Sequence, residues 1–186
     1  MSCLFLEGEK VLLRPLEEGD ISAKYLGWLN DYDVTRYLET GRFPVSQEDL
    51  RRFLTRFQNT QSDFIFAIID KGTETHIGNV TLNRIHWVHR TADTGIMIGE
   101  KNFLGKGYGF EAWSLLIDYA FVRLGLRKIT AGAVAANTGS VKVMQKLGFR
   151  LEGTFRKEFF VEGHFMDVLR FGLFLEEFYK YAPKRA

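Results

Sequence analysis

The most informative stretch of the sequence is Phe103-Leu-Gly-Lys-Gly-Tyr-Gly109, which lies between a predicted strand at 91–99 and a predicted amphipathic helix at about 107–124. Its glycines stand at alternate positions, and glycine lets the backbone approach a ligand closely and adopt conformations that a side chain forbids. The amide N–H groups of such a loop, followed by a helix N terminus, form an anion site suited to pyrophosphate, and Lys106 adds a positive charge. Taken alone, the stretch also fits a tight turn that binds nothing.

Two well-known phosphate-binding motifs do not match this loop. A P-loop ends in Gly-Lys-Ser or Gly-Lys-Thr, whereas here Lys106 is followed by Gly107. The dinucleotide motif has wider glycine spacing and is followed by a parallel strand with an acidic end. The loop therefore predicts neither of these two nucleotide-binding sites.

Strand and helix patterns extend from the loop in both directions along the chain. Strands are predicted at 10–15, 64–70, 75–87, 91–99, 128–134, 149–160 and 164–174, with Glu162-Gly163 as the turn before the last one. Helices are predicted after Asp20 as a cap, behind the capping box Ser46-Gln-Glu-Asp49, at about 107–124, and at 138–147 with Asn137 as the cap. This order predicts a mixed α/β sheet with helices packed on it, in a single domain over residues 1–186.

Composition excludes several classes of protein. The chain has 25 basic and 23 acidic residues, and a net charge of only +2 argues against a surface that binds nucleic acid. Cys3 is the single cysteine and the four histidines are scattered, so we expect no intramolecular disulfide and no metal site. No apolar run approaches the roughly 20 residues of a membrane span, and the N terminus does not resemble a signal peptide. We expect a cytoplasmic protein without membrane contact.

The second informative segment is Ala136-Asn-Thr-Gly-Ser-Val-Lys-Val-Met-Gln-Lys-Leu-Gly-Phe149. Together with the glycine loop, its Asn137-x-x-Ser140 and Lys146-Leu-Gly-Phe149 resemble the GNAT superfamily of N-acetyltransferases. Within it, the chain most resembles the branch of ribosomal-protein N-terminal (alanine/serine) acetyltransferases and their amine- and amino-sugar-acetylating relatives. The segments 11–20 and 28–31 are also similar to that branch, so the resemblance covers essentially the whole chain.

The resemblance implies a mostly antiparallel, twisted sheet of about seven strands, splayed in the middle and flanked by about four helices, with acetyl-CoA as co-substrate. In that family the acetyl arm enters between two strands, here 91–99 and 128–134. Backbone amides near Ile98 pair with the pantetheine and polarise the thioester carbonyl, and Asn137 hydrogen-bonds the pantetheine. The family often has Arg or Gln where this chain has Leu104, so the resemblance implies a backbone contact there. The phosphates and pantetheine lie against the loop, here Leu104, Gly105, Lys106, Gly107, Tyr108 and Gly109.

Acetyl transfer to an amine requires a neutral amine, a stabilised oxyanion and a proton for the departing thiolate. Many family members supply that proton from a tyrosine, but the matching residue here is Met144, which cannot donate. The branch resemblance points to Ser140 as the catalytic donor, although a serine at this place also fits a simple role near the helix cap. The general base is left open between water relayed by backbone carbonyls and a side chain; the candidates are Glu100, Glu158, His86, His89, His164 and Glu111.

The acceptor site is expected to be built by residues 30–42 and by strand ends near His86 and Trp87. Arg36, Arg42 and Lys101 could attract an anionic acceptor, although solvated basic loop residues have the same appearance. Three acceptor classes stay open: protein N termini, nucleotide-linked amino sugars, and small amines or aminoglycosides. The absence of a concentrated acidic cluster slightly disfavours polyamines. A catalytically inactive acetyl-CoA-binding sensor is the alternative, and an exposed sheet edge makes a homodimer plausible.

Overall fold

One eight-stranded sheet runs through the protein. The computed structural model describes residues 5–58 and 60–181, so Cys3 lies outside the described residues. The strand order across the sheet is β1-β2-β3-β4-β5-β6-β8-β7, and every neighbouring pair is antiparallel except β5 and β6. The strands are β1 (Leu6–Glu7), β2 (Val11–Pro15), β3 (Phe64–Asp70), β4 (Thr75–His86), β5 (Thr91–Ile98), β6 (Lys128–Val134), β7 (Arg150–Val161) and β8 (His164–Phe174).

Helices cover both faces of this sheet. One face, here called the α1 face, packs against α1 and α3, whereas the α4 face packs against α4, α5 and α6. β3 is apolar from Phe64 to Ile69, because Ile65 and Ala67 pack on the α1 face while Phe66 and Ile68 pack on the α4 face. The helices are α1 (Ala23–Leu29), α2 (Tyr32–Thr35), α3 (Gln47–Thr55), α4 (Tyr108–Val122), α5 (Thr138–Lys146) and α6 (Leu175–Tyr181).

The predicted fold class is confirmed, and the described residues add three short elements to the seven strands and four helices expected. β1 spans two residues and α2 four, which is too short for hydrophobic periodicity to reveal. The third, α6, follows β8 without a break. Its start is fixed by the Glu177 carboxylate, which accepts a hydrogen bond from the Phe174 amide at 2.9 Å.

The prediction that Asp20 caps the first helix was wrong. Ser22 is the cap, and its hydroxyl accepts a hydrogen bond from the Tyr25 amide at 3.2 Å. Asp20 is buried and instead accepts two hydrogen bonds from the Arg14 guanidinium, at 2.6 and 2.7 Å. The Asp20 carboxylate, which the sequence pattern predicted as a helix cap, is therefore engaged by Arg14, six residues upstream. The capping box at Ser46 and Asp49 was predicted correctly.

The predicted splay in the middle of the sheet is also confirmed. β5 and β6 pair only from Thr91 to Thr94 and from Lys128 to Ala131. Beyond these residues β5 stays with β4, and β6 stays with β8 as far as Val134, so the two strands diverge. The space between the diverging ends is here called the cleft.

Candidate active site

The cleft opens at the carboxyl ends of two parallel strands. Because β5 and β6 run in the same direction, the segments that follow them lie at the same edge of the sheet. The glycine loop, residues 104–109, follows β5, and α5 follows β6. The structure therefore brings Ile98, the glycine loop, Asn137 and Ser140 to one edge, although the sequence separates them by about forty residues.

The backbone of Ile98 is turned into the cleft. The Gly99 amide donates to the Ile77 carbonyl of β4 at 2.9 Å, and Ile98 lies opposite Gly78. Successive N–H groups of a strand point to opposite sides, so the amide of Ile98 points away from β4. The same alternation turns the Ile96 amide toward the cleft. Since β6 has already separated at this level, these groups are available to pair with an extended ligand.

The glycine loop presents a row of free amides. Gly105 and Gly107 adopt φ values of 72° and 89°, in the left-handed region that glycine enters without strain. Within the part of the chain that the structure describes, the amide N–H groups of residues 105–110 donate to no protein acceptor. Leu104 is half exposed and extended, so its side chain offers no polar contact. The loop and the first turn of α4 thus have the donors that an anion site requires.

Lys10 is a second cation at this loop, and the sequence analysis missed it. Its Nζ donates to the Lys106 carbonyl at 3.3 Å and lies 5.9 Å from the centre of the Tyr108 ring. The Lys10 amide is fixed by a 2.9 Å hydrogen bond to the Glu111 carboxylate. Ninety-six positions separate Lys10 from Lys106, and no local pattern signals such a contact. Glu111, a candidate base, therefore joins α4 to the start of β2.

The side chain of Tyr108 contributes packing at the loop. Its ring meets Phe103 edge to face, with ring centres 4.9 Å apart. Burial raises the pKa of the Tyr108 hydroxyl, and the nearby Asp70 carboxylate raises it further. The phenol therefore stays protonated at neutral pH and orients the start of α4.

The first turn of α5 holds the two remaining predicted residues. The Asn137 side-chain oxygen accepts a hydrogen bond from the Ser140 amide at 3.2 Å, which confirms Asn137 as the helix cap. The Asn137 amide group stays available as a donor. Across residues 5–58 and 60–181, the Ser140 hydroxyl makes no hydrogen bond. Met144 is fully buried under α5, one helical turn further on.

Two of the other candidate bases lie away from the cleft. His86 and His89 stack at 4.1 Å in the turn before Thr91. Thr91 is seven residues before Ile98, which is about 23 Å along β5 at roughly 3.3 Å per residue. His164 begins β8, before the pairing of Val168 with Val134, and so lies past the carboxyl end of β6. His86 and His89 therefore do not have the position expected of a base at the thioester.

Two further candidate bases are Glu158, on an edge strand, and Glu100, next to the cleft. Glu158 is exposed on β7, the edge strand of the sheet. Glu100 directly follows the carboxyl end of β5, but its carboxylate accepts a hydrogen bond from the Trp28 indole at 2.9 Å and pairs with Lys24 at 3.2 Å. Glu100 thus ties α1 to the end of β5.

A pocket of about 510 Å³ opens on the α1 face. Its wall includes Gly95, Ile96 and Met97, the part of β5 that has separated from β6. Residues 38–45 form another side, so the predicted acceptor segment 30–42 contributes its second half, including Arg42. His86 and Trp87, the other predicted contributors, do not line this pocket.

Arg36 and Lys101 do not line the pocket either. The Arg36 guanidinium stacks on Tyr37 at 4.8 Å. The Lys101 ammonium pairs with Asp31 and Asp33, each at 2.9 Å. Lys101 therefore ties the start of the segment 30–42 to the residues that follow β5.

A buried polar pair, His76 and Asn79, lies behind this pocket and was not predicted. A β-bulge at Ile77 places both residues on the α1 face although they are three positions apart in β4. The His76 imidazole packs edge to face against the rings of Tyr25 and Trp28, and its Nε2 contacts the Asn79 amide oxygen at 3.0 Å. Asn79 itself lines the pocket.

Two negative findings apply to the described ranges of the chain. No group of three His, Cys, Asp or Glu side chains is arranged to hold a metal ion. Among the same residues, no helix combines the length and apolar character that crossing a membrane requires.

Comparison with known proteins agrees with this geometry. A family model described as an acetyltransferase (GNAT) domain matches residues 10–150. An uncharacterised N-acetyltransferase, p20, from Bacillus licheniformis is 33% identical over 96% of this chain and 99% of its own length. Spermidine N(1)-acetyltransferase from Escherichia coli K12 is 31% identical over 90% of this chain and 88% of its own.

Solved structures give the same result. Spermidine N-acetyltransferase from Vibrio cholerae, crystallised with CoA and spermine, superimposes with a TM-score of 0.83 at 27% identity, over 92% of this chain and 99% of its own. These relatives support the superfamily, and the finer ribosomal-protein branch stays a prediction. This chain belongs to the GNAT acetyltransferase family and is an N-acetyltransferase.

Proposed function

We propose that this enzyme transfers an acetyl group from acetyl-CoA, bound in the cleft, to a primary amine that enters through the pocket on the α1 face. The observation that carries the proposal is the separation of β5 from β6 beyond Thr94, with the Ile98 amide turned into the gap. The relative crystallised with CoA supports the donor. The alternative of an inactive sensor has no support from relatives, which are named as enzymes.

The donor's phosphates bind at the free amides of residues 105–110, with Lys106 and Lys10 contributing positive charge. From there the pantetheine arm runs into the cleft beside β5, where its amide groups pair with the strand as an additional strand would. The Asn137 side-chain oxygen caps α5, so its NH₂ group can donate to the pantetheine arm from the side of the cleft opposite β5. This arrangement places the thioester near Ile98.

The reaction is a direct acyl transfer. The amine nitrogen attacks the thioester carbonyl carbon, and the Ile98 amide stabilises the oxyanion that forms. As the intermediate collapses, the C–S bond breaks and the thiolate takes the proton of the Ser140 hydroxyl. The attacking nitrogen loses one proton to water. The Ser140 oxygen takes up a proton from the solvent, so that the hydroxyl is regenerated. Because Met144 is buried and has no proton to give, Ser140 is the donor that the first turn of α5 offers.

The test is a calorimetric titration with acetyl-CoA, followed by measurement of CoA thiol release with a panel of amines. The panel contains N-terminal peptides, a nucleotide-linked amino sugar, an aminoglycoside and spermidine. We expect micromolar binding of acetyl-CoA and turnover with one class of acceptor. Binding without turnover on any amine would favour the sensor, and no binding at all would overturn the donor assignment.

Two further expectations stay predictions. A homodimer would use one of the outer strands of the sheet, which are β1 and β7. A cytoplasmic location follows from the composition alone and is not tested by the fold.

A further inference from the structure

We infer that the acceptor is a monoamine with an apolar body and a hydrogen-bond-accepting oxygen, and that the Asn79 amide recognises this oxygen. The inference rests on the proposed function, because it takes the pocket on the α1 face as the acceptor site. It separates this enzyme from its relatives that are named for spermidine. Three properties of the pocket support it: an unused buried donor, apolar walls and paired charges.

The orientation of the Asn79 amide is fixed by its neighbour. His76 Nε2 lies 2.9 Å from the Gly78 carbonyl and 3.0 Å from the Asn79 side-chain oxygen. A backbone carbonyl can only accept, so Nε2 carries the hydrogen and donates to both oxygens. The Asn79 oxygen must therefore face His76, and the Asn79 NH₂ group points the other way.

That NH₂ group has no hydrogen-bond partner in the described part of the chain, although Asn79 is only 5% exposed. Burial raises the pKa of the Tyr25 hydroxyl, and the nearby Asn79 amide partly offsets this effect, but the two groups fall short of hydrogen-bonding geometry. A buried amide donor without a partner costs free energy, and such groups are rare in folded proteins. Since Asn79 lines the pocket, an oxygen of a bound acceptor can supply the missing partner.

The neighbouring polar residue on the same strand is not available for this role. The Thr81 hydroxyl, two positions along β4, accepts from the Asn83 amide at 2.9 Å and contacts the Gly95 carbonyl at 3.4 Å. Asn79 is thus the lining residue on β4 with an unused donor.

Most of the remaining wall is apolar. Side chains of α1, α3, β5 and the segment 38–45 contribute Leu29, Leu38, Phe43, Leu50, Phe53 and Met97. A hydrocarbon or aromatic body bound here is removed from water, which stabilises the complex in proportion to the area buried. A flexible chain of protonated amines gains less from these walls, because charged groups that lose water separate its short methylene segments.

The carboxylates of the pocket are already paired. The Glu39 carboxylate contacts the Arg42 guanidinium at 2.8 Å, and the Asp49 carboxylate contacts Arg52 at 2.7 Å. Asp49 also accepts hydrogen bonds from the Ser46 amide and hydroxyl. Additional ammonium groups of a polyamine would have to share these carboxylates with the arginines or remain unpaired beside apolar walls. The charge pattern therefore favours an acceptor with a single amine.

The inference can be tested with two amines that share one body. L-Phenylalaninamide and phenethylamine share one body, but the carboxamide also makes the amine less basic. The contribution of the accepting oxygen is therefore the change in their kcat/KM ratio between the parent and a variant at one pH. We expect the parent enzyme to prefer L-phenylalaninamide over both phenethylamine and spermidine. In Asn79→Leu the ratio of the two related amines should fall by about 10-fold.

The matched control is Asn83→Leu, the same substitution four positions along β4, at a residue that does not line the pocket. This variant should keep the parent's ratio. A preference for spermidine in the parent, or an unchanged ratio in Asn79→Leu, would overturn the inference.

Binding measured by calorimetry decides the case if turnover is too slow or if Asn79→Leu does not fold. L-Phenylalaninamide should then bind the parent more tightly than phenethylamine and spermidine do, and equal or weaker binding contradicts the inference. Failure of the proposed function is seen separately, as a lack of acetyl-CoA binding in the titration described above.

Discussion

At the scale of single residues, Ser140 has the clearest experimental consequence. Its hydroxyl is free of protein hydrogen bonds among the described residues, whereas its amide is held by the Asn137 cap. We expect Ser140→Ala to lower kcat by about 10-fold or more, because the thiolate then leaves without a positioned proton. The affinity for acetyl-CoA, measured by calorimetry, should change little.

The control is Thr138→Ala, which removes a hydroxyl from the same turn of α5 at an exposed position. Thr138→Ala should keep the parent's kcat. If Ser140→Ala turns over as fast as the parent, Ser140 contributes only to the start of the helix.

At the scale of elements, the glycine loop depends on backbone conformation more than on space. A Cβ at Gly107 would lie 3.8 Å from Lys10 Nζ, an ordinary contact, but φ is 89° and a β-branched residue is strongly strained there. Gly107→Val should therefore turn the amides of residues 105–110 away from their common direction. We expect the calorimetric affinity for acetyl-CoA to fall by more than about 10-fold.

Gly125→Val separates this effect from general strain. Gly125 also has a left-handed φ, 63°, a Cβ there would meet no atom within 4 Å, and the residue follows the C terminus of α4. Both variants should lose stability, but Gly125→Val should bind acetyl-CoA as the parent does. Equal affinity in the two folded variants contradicts the loop assignment.

Elements with a continuous local pattern were predicted well from the sequence. The bounds of β3, β6 and β8 match the prediction, since each is a largely apolar run that begins directly after a turn or loop. The joint pattern of the glycine loop and Asn137-x-x-Ser140 identified the edge of the sheet where the cleft opens.

Features that depend on register or on distant contacts were not predicted. A single extra residue, Ile77, brings His76 and Asn79 to one face, and a pattern of period two cannot reveal such a bulge. Lys10 reaches the glycine loop across the fold rather than along the chain. The pocket on the α1 face therefore could be found only from the tertiary structure, whereas the glycine loop and the start of α5 were recognisable as sequence motifs.

At the scale of the whole molecule, the two faces of the sheet differ in their packing and polarity. The α4 face is an apolar core that supports the glycine loop and α5, while the α1 face keeps a pocket and buried polar groups. Buried polar groups connect stability to pH when their protonation differs between the folded and unfolded chain. His76 is the group on the α1 face where this connection should be measurable.

Burial lowers the pKa of His76, outweighing the opposite effects of the Asn79 hydrogen bond and the Asp20 charge. In the unfolded chain the imidazole takes up a proton near pH 6.5, while in the folded chain it stays neutral to lower pH. The unfolded state therefore binds more protons below about pH 6.5, and stability falls as the pH decreases. Asp20 is desolvated, yet hydrogen bonds from Arg14 and the Glu17 amide lower its pKa, so its own contribution is lost only below about pH 4.

Urea unfolding at pH 7.5 and pH 5.0 provides the measurement. The free energy of unfolding of the parent should decrease by up to about 1.4 kcal/mol per pH unit across the His76 window. His76→Gln removes the titrating group, so its decrease should be smaller, with an unchanged urea m-value as evidence of the same folded core. His76→Phe, which suits the aromatic surroundings of Tyr25 and Trp28, serves if the glutamine variant does not fold. If the folded variant shows the same pH dependence as the parent, the pKa of His76 is the same in the folded and unfolded states, which contradicts the prediction.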